Sequence, residues 1–230
     1  MTKNIYSEEN SEYLRNNPDW HVEDSPWKAK QILKMLVRNS LHPKSIAEVG
    51  CGAGEILNQL YYSLPDDIRF AGYDISIDAI NLARQRTKDR LDFRNEDFTI
   101  TGDNFDLLLM IDVFEHVEDY MGFLRSCKER KTKYVMFHIP LDIAVDAVLR
   151  NKLMAGRKYV GHLHYFTKET ALATLKDCEY EIIDFFYTAG TLELPRFKSL
   201  IFLPARIMYK INKDLGVKLF SGFSLMVLAK

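Results

Sequence analysis

What this chain of 230 residues lacks narrows the field before any motif is read. It lacks a charge imbalance: the formal net charge is −1, so no global field draws it to nucleic acid, and no nucleic-acid partner is expected. Cysteine is scarce. Cys51, Cys127 and Cys178 are odd in number and far apart, which excludes a disulfide framework and a cysteine-based metal site. The six histidines show no H-E-x-x-H or comparable spacing, so no metal is expected. No window approaches the ~20 apolar residues of a transmembrane helix. The first ten residues hold no apolar stretch of the secretory kind. Repeats and low-complexity tracts are missing too, and the expectation is a cytoplasmic globular protein.

What is present suits one α/β domain with decorations. Residues 1–44 read as an N-terminal helical cap segment and 45–230 as the main domain, with a basic amphipathic insert at about 188–222. Ser25-Pro26 opens a helix, Trp27, Ile32, Leu33, Leu36 and Val37 give it an apolar face, and His42-Pro43 stops it. β-rich runs then appear at Ser45–Val49, Arg69–Tyr73, Leu91–Phe93, Phe105–Ile111 and Tyr134–His138, with helical stretches Gly54–Leu60, Ile77–Lys88 and Tyr120–Arg130 between them. That alternation predicts a parallel sheet covered on both faces. Further on, the pattern predicts helices at Asp142–Leu153 and Lys168–Lys176, then strands at Tyr180–Tyr187 and Ser224–Leu228.

Chemistry concentrates at the ends of the early strands. Ile46 to Val49 runs into Gly50-Cys51-Gly52-Ala53-Gly54-Glu55, a loop with glycine at every second position before a helix. Such a loop lets a ligand approach the backbone, and the helix N-terminus beyond offers N–H groups to an anion. The third glycine comes one position too early for a dinucleotide fingerprint, and Glu48 stands two residues before the first. Asp74, about 20 residues beyond the loop, is at the distance from which a carboxylate reaches ribose hydroxyls. Capping of the next helix is the alternative. Cys51 has no identifiable base beside it and reads as a small loop residue, not a nucleophile. The apolar strand from Phe105 ends in Asp112-Val113-Phe114-Glu115-His116-Val117.

The E-x-G-x-G-x-G run resembles the first motif of class I S-adenosylmethionine-dependent methyltransferases, and the D-x-x-E-H-V ending resembles the ubiquinone-pathway O-methyltransferases among them. The resemblance covers about Trp27 to Tyr187. It implies a Rossmann-like fold with a mostly parallel seven-stranded sheet whose last strand is antiparallel. It also implies S-adenosyl-L-methionine as cofactor and S-adenosyl-L-homocysteine as product. Glu48, Gly50, Cys51, Gly52, Gly54, Asp74 and its neighbour Ile75, Asp97 and Phe98 near the adenine, and Asp112 with Val113 would then line the cofactor.

Methyl transfer to a hydroxyl needs a base, which a histidine near neutrality supplies. His116, His138 and His164 are the candidates; structural roles are their alternative. The expected acceptor is a small molecule, most simply a hydroxyl compound. A scaffold without turnover and an NAD-dependent oxidoreductase are the competing functions. Trp20, His21 and Trp27 suggest an aromatic lid, although Trp27 on an apolar helix face reads as core. Residues 196–218 combine Arg196, Lys198, Arg206, Lys210, Lys213 and Lys218 with apolar residues in an amphipathic basic helix that Pro204 interrupts. Three readings are open there: a lid, weak contact with a membrane or lipid-linked substrate, or a solvated covering helix. Oligomeric state is not legible.

Overall fold

The computed structural model describes residues 22–101, 103–194 and 202–230. Helix α1 (Ser25–Arg38) begins with Asp24 at its cap and Pro26 in its first turn, where a missing N–H costs nothing. Strand β1 (Ser45–Val49) is buried along its whole length. Helix α2 (Glu55–Ser63), β2 (Arg69–Tyr73), α3 (Ile77–Ala83) and β3 (Leu91–Arg94) follow. A single turn, α4 (Phe98–Thr101), precedes β4 (Leu107–Ile111), another wholly buried strand. Then come α5 (Tyr120–Lys128), β5 (Tyr134–Pro140), α6 (Val145–Leu149), α7 (Lys152–Tyr159), α8 (Lys168–Asp177), β6 (Ile182–Thr188) and α9 (Gly190–Glu193). Helices α10 (Leu203–Ile211) and α11 (Lys213–Leu219) lead to β7 (Ser224–Ala229).

The seven strands form one sheet in the order β3-β2-β1-β4-β5-β7-β6. β7 runs antiparallel to both its neighbours and every other pairing among β1 to β5 is parallel, as the family resemblance implied. Both faces are packed. Tyr73, Phe98, Phe114 and Phe137 fill one side, and Ile32, Leu57, Leu107 and Met136 the other. Ile32 and Met35 of α1 are fully buried there, so this helix is part of the layer covering the sheet. Chain order reverses between β1 and β4, and a crevice at such a switch point is where open α/β sheets take ligands.

Three expected elements differ. The helix from Ile77 ends at Ala83 and tightens into a 3₁₀ turn over Arg84–Arg86. The helix expected at Asp142–Leu153 is two: Asn151 sits at φ 52°, a left-handed conformation that breaks α6 from α7. Pro204 opens α10 instead of interrupting a helix, and the break falls at Asn212, whose extended backbone ends α10 while its side chain accepts the Leu215 N–H to start α11. Among the described residues no helix is long and apolar enough to cross a membrane. Trp20 and His21 of the expected lid, and Arg196 and Lys198 of the insert, lie outside the described residues.

Candidate functional site

The carboxyl ends of β1, β2, β4 and β5 carry the site. At β1 the chain turns through Gly50 (φ 68°), Gly52 and Gly54 (φ 76°). A methyl group on Gly50 would lie 2.8 Å from Val113 Cγ2, and one on Gly54 would lie 2.4 Å from the Phe93 ring. Both glycines are therefore demanded by dihedral and by space. The Gly50 and Cys51 N–H groups donate to the Tyr73 carbonyl at 2.8 and 3.1 Å. Cys51 is buried, and burial pushes its thiol far above the usual range, which leaves it no nucleophilic role.

Asp74 follows directly on β2. One carboxylate oxygen accepts the Gly52 N–H at 2.9 Å and the other the Ser76 N–H at 2.8 Å. Capping of α3 falls to Ser76, whose hydroxyl accepts from the Ala79 N–H. Burial raises the Asp74 pKa against the pull of those backbone donors. Ile75 beside it is half exposed, an apolar side chain at the rim. Glu48 on β1 is 1% exposed and its Oε2 has no hydrogen-bond partner. Burial pushes it up to about 8, partly offset by Lys28. Beyond β3, Asp97 is exposed and its carboxylate accepts the Thr99 N–H and hydroxyl, closing the α4 turn. The Phe98 ring is buried, 5.1 Å from Tyr73 by centroid, and belongs to the core.

Asp112 ends β4 in the left-handed region (φ 56°). Its carboxylate meets Lys28 Nζ of α1 at 2.7 Å and His138 Nδ1 of β5 at 2.5 Å. His138 is 2% exposed, and its Nε2 is 2.8 Å from the Thr188 hydroxyl at the end of β6. Burial would raise the Asp112 pKa, yet His138 and Lys28 hold it far below the carboxylate range. Burial likewise works against the Lys28 ammonium, and Asp112 outweighs it. Trp27 is half-buried instead of core: its ring stands edge-on to His138 at 5.9 Å and its Nε1–H donates to Glu193 of α9 at 2.7 Å. One chain of contacts thus ties α1, β4, β5, β6 and α9 together.

The turn after β4, Phe114–His116, places Glu115 and His116 beside the loop that follows α7. His116 Nδ1 lies 3.2 Å from the Gly161 carbonyl, so that nitrogen carries the proton and Nε2 the lone pair. Burial, and then the neighbouring His162, bring His116 down to about 4 and keep it neutral at pH 7. His162 stands 4.9 Å away by ring centroid, with Nδ1 at 2.6 Å from Asp142. Both oxygens of Glu115 are buried without a hydrogen-bond partner, and burial drives its carboxyl well above the usual range. Ligand atoms of Glu115, His116 and His162 lie within 4.8 Å of one another, a set that could hold a cation. Spacing rules miss it because its members come from two loops. His164 Nε2 donates to the Val117 and Glu118 carbonyls, which pins the turn.

Sequence reasoning therefore named Asp74, Asp112, Glu48 and the glycines, which the fold gathers at one edge. It missed Lys28 and Thr188. Lys28 alone carried a signal, as a cation beside the apolar face of α1.

A family model described as a methyltransferase domain matches residues 23–184. The ubiquinone biosynthesis O-methyltransferase of Cereibacter sphaeroides is 32% identical over 90 residues, covering 36% of this chain and 35% of that protein. The enzyme of the same name from Actinobacillus pleuropneumoniae serotype 7 is 26% identical over 134 residues, 53% of this chain and 55% of the relative. The match thus spans between a third and about half the length of these curated relatives. Among solved structures, magnesium protoporphyrin IX methyltransferase from Synechocystis with bound SAH superposes with a TM-score of 0.61 at 15% identity, over 98% of this chain and 90% of that one. That likeness is one of fold.

Proposed function

The chain belongs to the methyltransferase-domain family, and from that premise we propose that it moves a methyl group from S-adenosylmethionine to a hydroxyl of a small molecule. One observation carries the reading: the Asp74 carboxylate and a three-glycine loop are joined at the switch point of the sheet. The residues present fit the cofactor. Glu48 keeps a buried oxygen without a partner, and the left-handed dihedrals of Gly50, Gly52 and Gly54 turn the loop back at the sheet edge beside Asp74. Glu48, Gly50 to Gly54 with Cys51 and Gly52 between, and Asp74 with Ile75 would hold it, together with Asp97, Asp112 and Val113.

When bound, the cofactor supplies a methyl already activated on a sulfonium. The protein's own task is then alignment and removal of the acceptor's proton. His116 is the base in this reading because its lone pair is on Nε2 while Nδ1 faces Gly161; at about 4 it is a weaker base than the near-neutral histidine the sequence suggested. His138 and His164 act as positioning residues, the first clamped between Asp112 and Thr188, the second on backbone carbonyls. The oxygen acceptor draws support from the names of the partial relatives, ubiquinone biosynthesis O-methyltransferases.

Calorimetry with S-adenosylmethionine and S-adenosylhomocysteine tests the cofactor, with NADH as the competing ligand. Binding of NADH alone would sink the reading. Radiolabelled methyl transfer to a panel of phenols, catechols, hydroxy acids, amines and thiols tests the acceptor class. The expected result is label on oxygen, lost in His116→Gln; label on nitrogen would overturn the hydroxyl.

A further inference from the structure

The two inserts that leave the carboxyl edge of the sheet form a single surface. The first runs from Leu141 through α6 and α7 to His162, and the second carries α10 and α11. They are bonded together: the Ser221 N–H donates to Asp146 of α6 at 2.6 Å, Lys152 Nζ of α7 reaches the Ser221 hydroxyl at 2.8 Å, and the Leu141 N–H donates to the Phe223 carbonyl. Helices α10 and α11 touch closely. An added Cβ at Gly216 would lie 2.9 Å from Tyr209 Cα.

This surface is apolar where a helix in water should be polar. Leu203, Ile207 and Ile211 recur every four residues on α10 and are exposed by 46, 51 and 74%. On α6 Leu149 is exposed by 79%, and on α7 Met154 by 64%. Helix α7 buries none of its residues. A helix so situated gains little from the domain it belongs to, because most helical stability comes from burying an apolar face. Patches of this sort mark an interaction site.

Charge identifies what covers it. Stretches 143–160 and 202–220 hold eight lysines and arginines against two aspartates, in a chain whose overall charge is −1. Both aspartates are engaged: Asp146 pairs with Lys152, and Asp214 with Lys168 of α8. The rest of the molecule is therefore acidic, and the basic residues are concentrated where the apolar side chains are. Apolar exposure interleaved with lysine and arginine on short helices is the composition of an interfacial anchor.

We propose that α6, α7, α10 and α11 form a monotopic docking face for an anionic lipid bilayer. Apolar side chains such as Leu149, Ile207 and Ile211 enter the headgroup region, and Lys210, Lys213 and Arg157 contact the lipid phosphates. The docking does not rest on the enzymatic reading. Its consequence does: the first insert ends at His162, beside His116, so a docked protein would present its site next to the membrane surface to an acceptor dissolved in lipid.

Co-flotation with vesicles tests this directly. The full chain is expected to float with phosphatidylglycerol-rich vesicles and to stay behind with pure phosphatidylcholine. Each of Lys210→Glu and Lys213→Glu should weaken partitioning by about fivefold or more, as the loss of one surface cation predicts. The double variant Ile207→Ser/Ile211→Ser should weaken it further, with unchanged circular dichroism and melting. Leu149→Ser provides an independent arm from the other insert. Equal binding to both vesicle types, or no flotation, would overturn the proposal. So would a stable dimer dissociated by Ile207→Ser/Ile211→Ser, which would make a second copy the occupant.

Discussion

The Asp74 carboxylate receives the Gly52 N–H at 2.9 Å, so the end of β2 and the middle of the glycine loop move as one unit. Its other oxygen takes the Ser76 N–H, the residue that caps α3. One side chain thus ties the glycine loop to the start of α3, and both bonds are charge-assisted. Asp74→Ala is expected to weaken S-adenosylhomocysteine binding at least about 100-fold, since hydrogen bonds to a charged group contribute roughly 1.5–3 kcal/mol each. Asp74→Asn should recover only part, because an amide offers a single acceptor to two donors. Calorimetry on the three proteins measures it. Equal affinity in all three would remove Asp74 from the site.

Lys28 and Asp112 form the second relationship that binds distant segments. Their side chains are only 16 and 21% exposed, and Asp112 keeps His138 when Lys28 is removed, so the cost falls below the roughly 3–5 kcal/mol of a buried charge left alone. Lys28→Met should therefore lower the unfolding free energy by about 1–3 kcal/mol, since Met keeps most of the stem's contacts and His138 still faces Asp112. The double variant Lys28→Met/Asp112→Asn should be more stable than Lys28→Met alone. Urea melts of the four proteins give the coupling. Additive losses would mean the pair does not act as one.

These partners mark the limit of what the chain discloses in one dimension. The strands β1 and β2 were legible to the residue because apolar runs end abruptly at Gly50 and Asp74, and the glycine spacing set this loop apart from a dinucleotide fingerprint. Asp112 was legible as a strand-ending carboxylate. Its use by Lys28 and His138 was not, because no periodicity links α1 to the end of β4. His138 looked like an open base at a strand end; the Thr188 hydroxyl, 50 residues away, occupies its other nitrogen. The helix break at Asn151 depends on a left-handed dihedral that composition does not show. Pro204 was misplaced for a simpler reason: a proline reads as a breaker until the helix is seen to start there.

Glu115 is buried with neither oxygen hydrogen-bonded, and its pKa is driven upward by burial. A raised folded-state pKa means that stability is full below the unfolded value and is lost as pH climbs. Glu115→Gln removes the titration. The variant is expected to melt like wild type at pH 4, below the ordinary 4.5, and higher than wild type at pH 8, with both proteins dialysed against EDTA. Should Mn²⁺ stabilise wild type and not Glu115→Gln, the carboxylate serves as a ligand with His116 and His162, and the order at pH 8 reverses when the ion is added.

Glu48 and His116 impose opposite pH slopes on the fold. Glu48 rises to about 8 from its ordinary 4.5, so its contribution is whole in acid and declines between pH 4.5 and 8, by up to about 5 kcal/mol from that shift. His116 falls to about 4 from 6.5, so its contribution is whole above pH 6.5 and fades as pH drops through 4, by up to about 3 kcal/mol. The windows overlap between 4.5 and 6.5, where the His116 slope offsets that of Glu48. Above 6.5 the His116 contribution is complete and the losses of Glu48 and of Glu115 remain. Unfolding free energy should therefore fall from pH 6.5 to 8 in wild type and fall less steeply there in Glu48→Gln, where Glu115 still titrates. His116→Gln should instead become less stable as pH rises from 4.5 to 6.5. Parallel profiles in wild type and Glu48→Gln would show that Glu48 titrates in the folded protein as it does in the unfolded chain. The same carboxyl, once ionised beside a cationic ligand, would regain what it lost. Saturating S-adenosylmethionine should then flatten the limb between pH 6.5 and 8 in wild type, and its affinity should rise with pH over that interval.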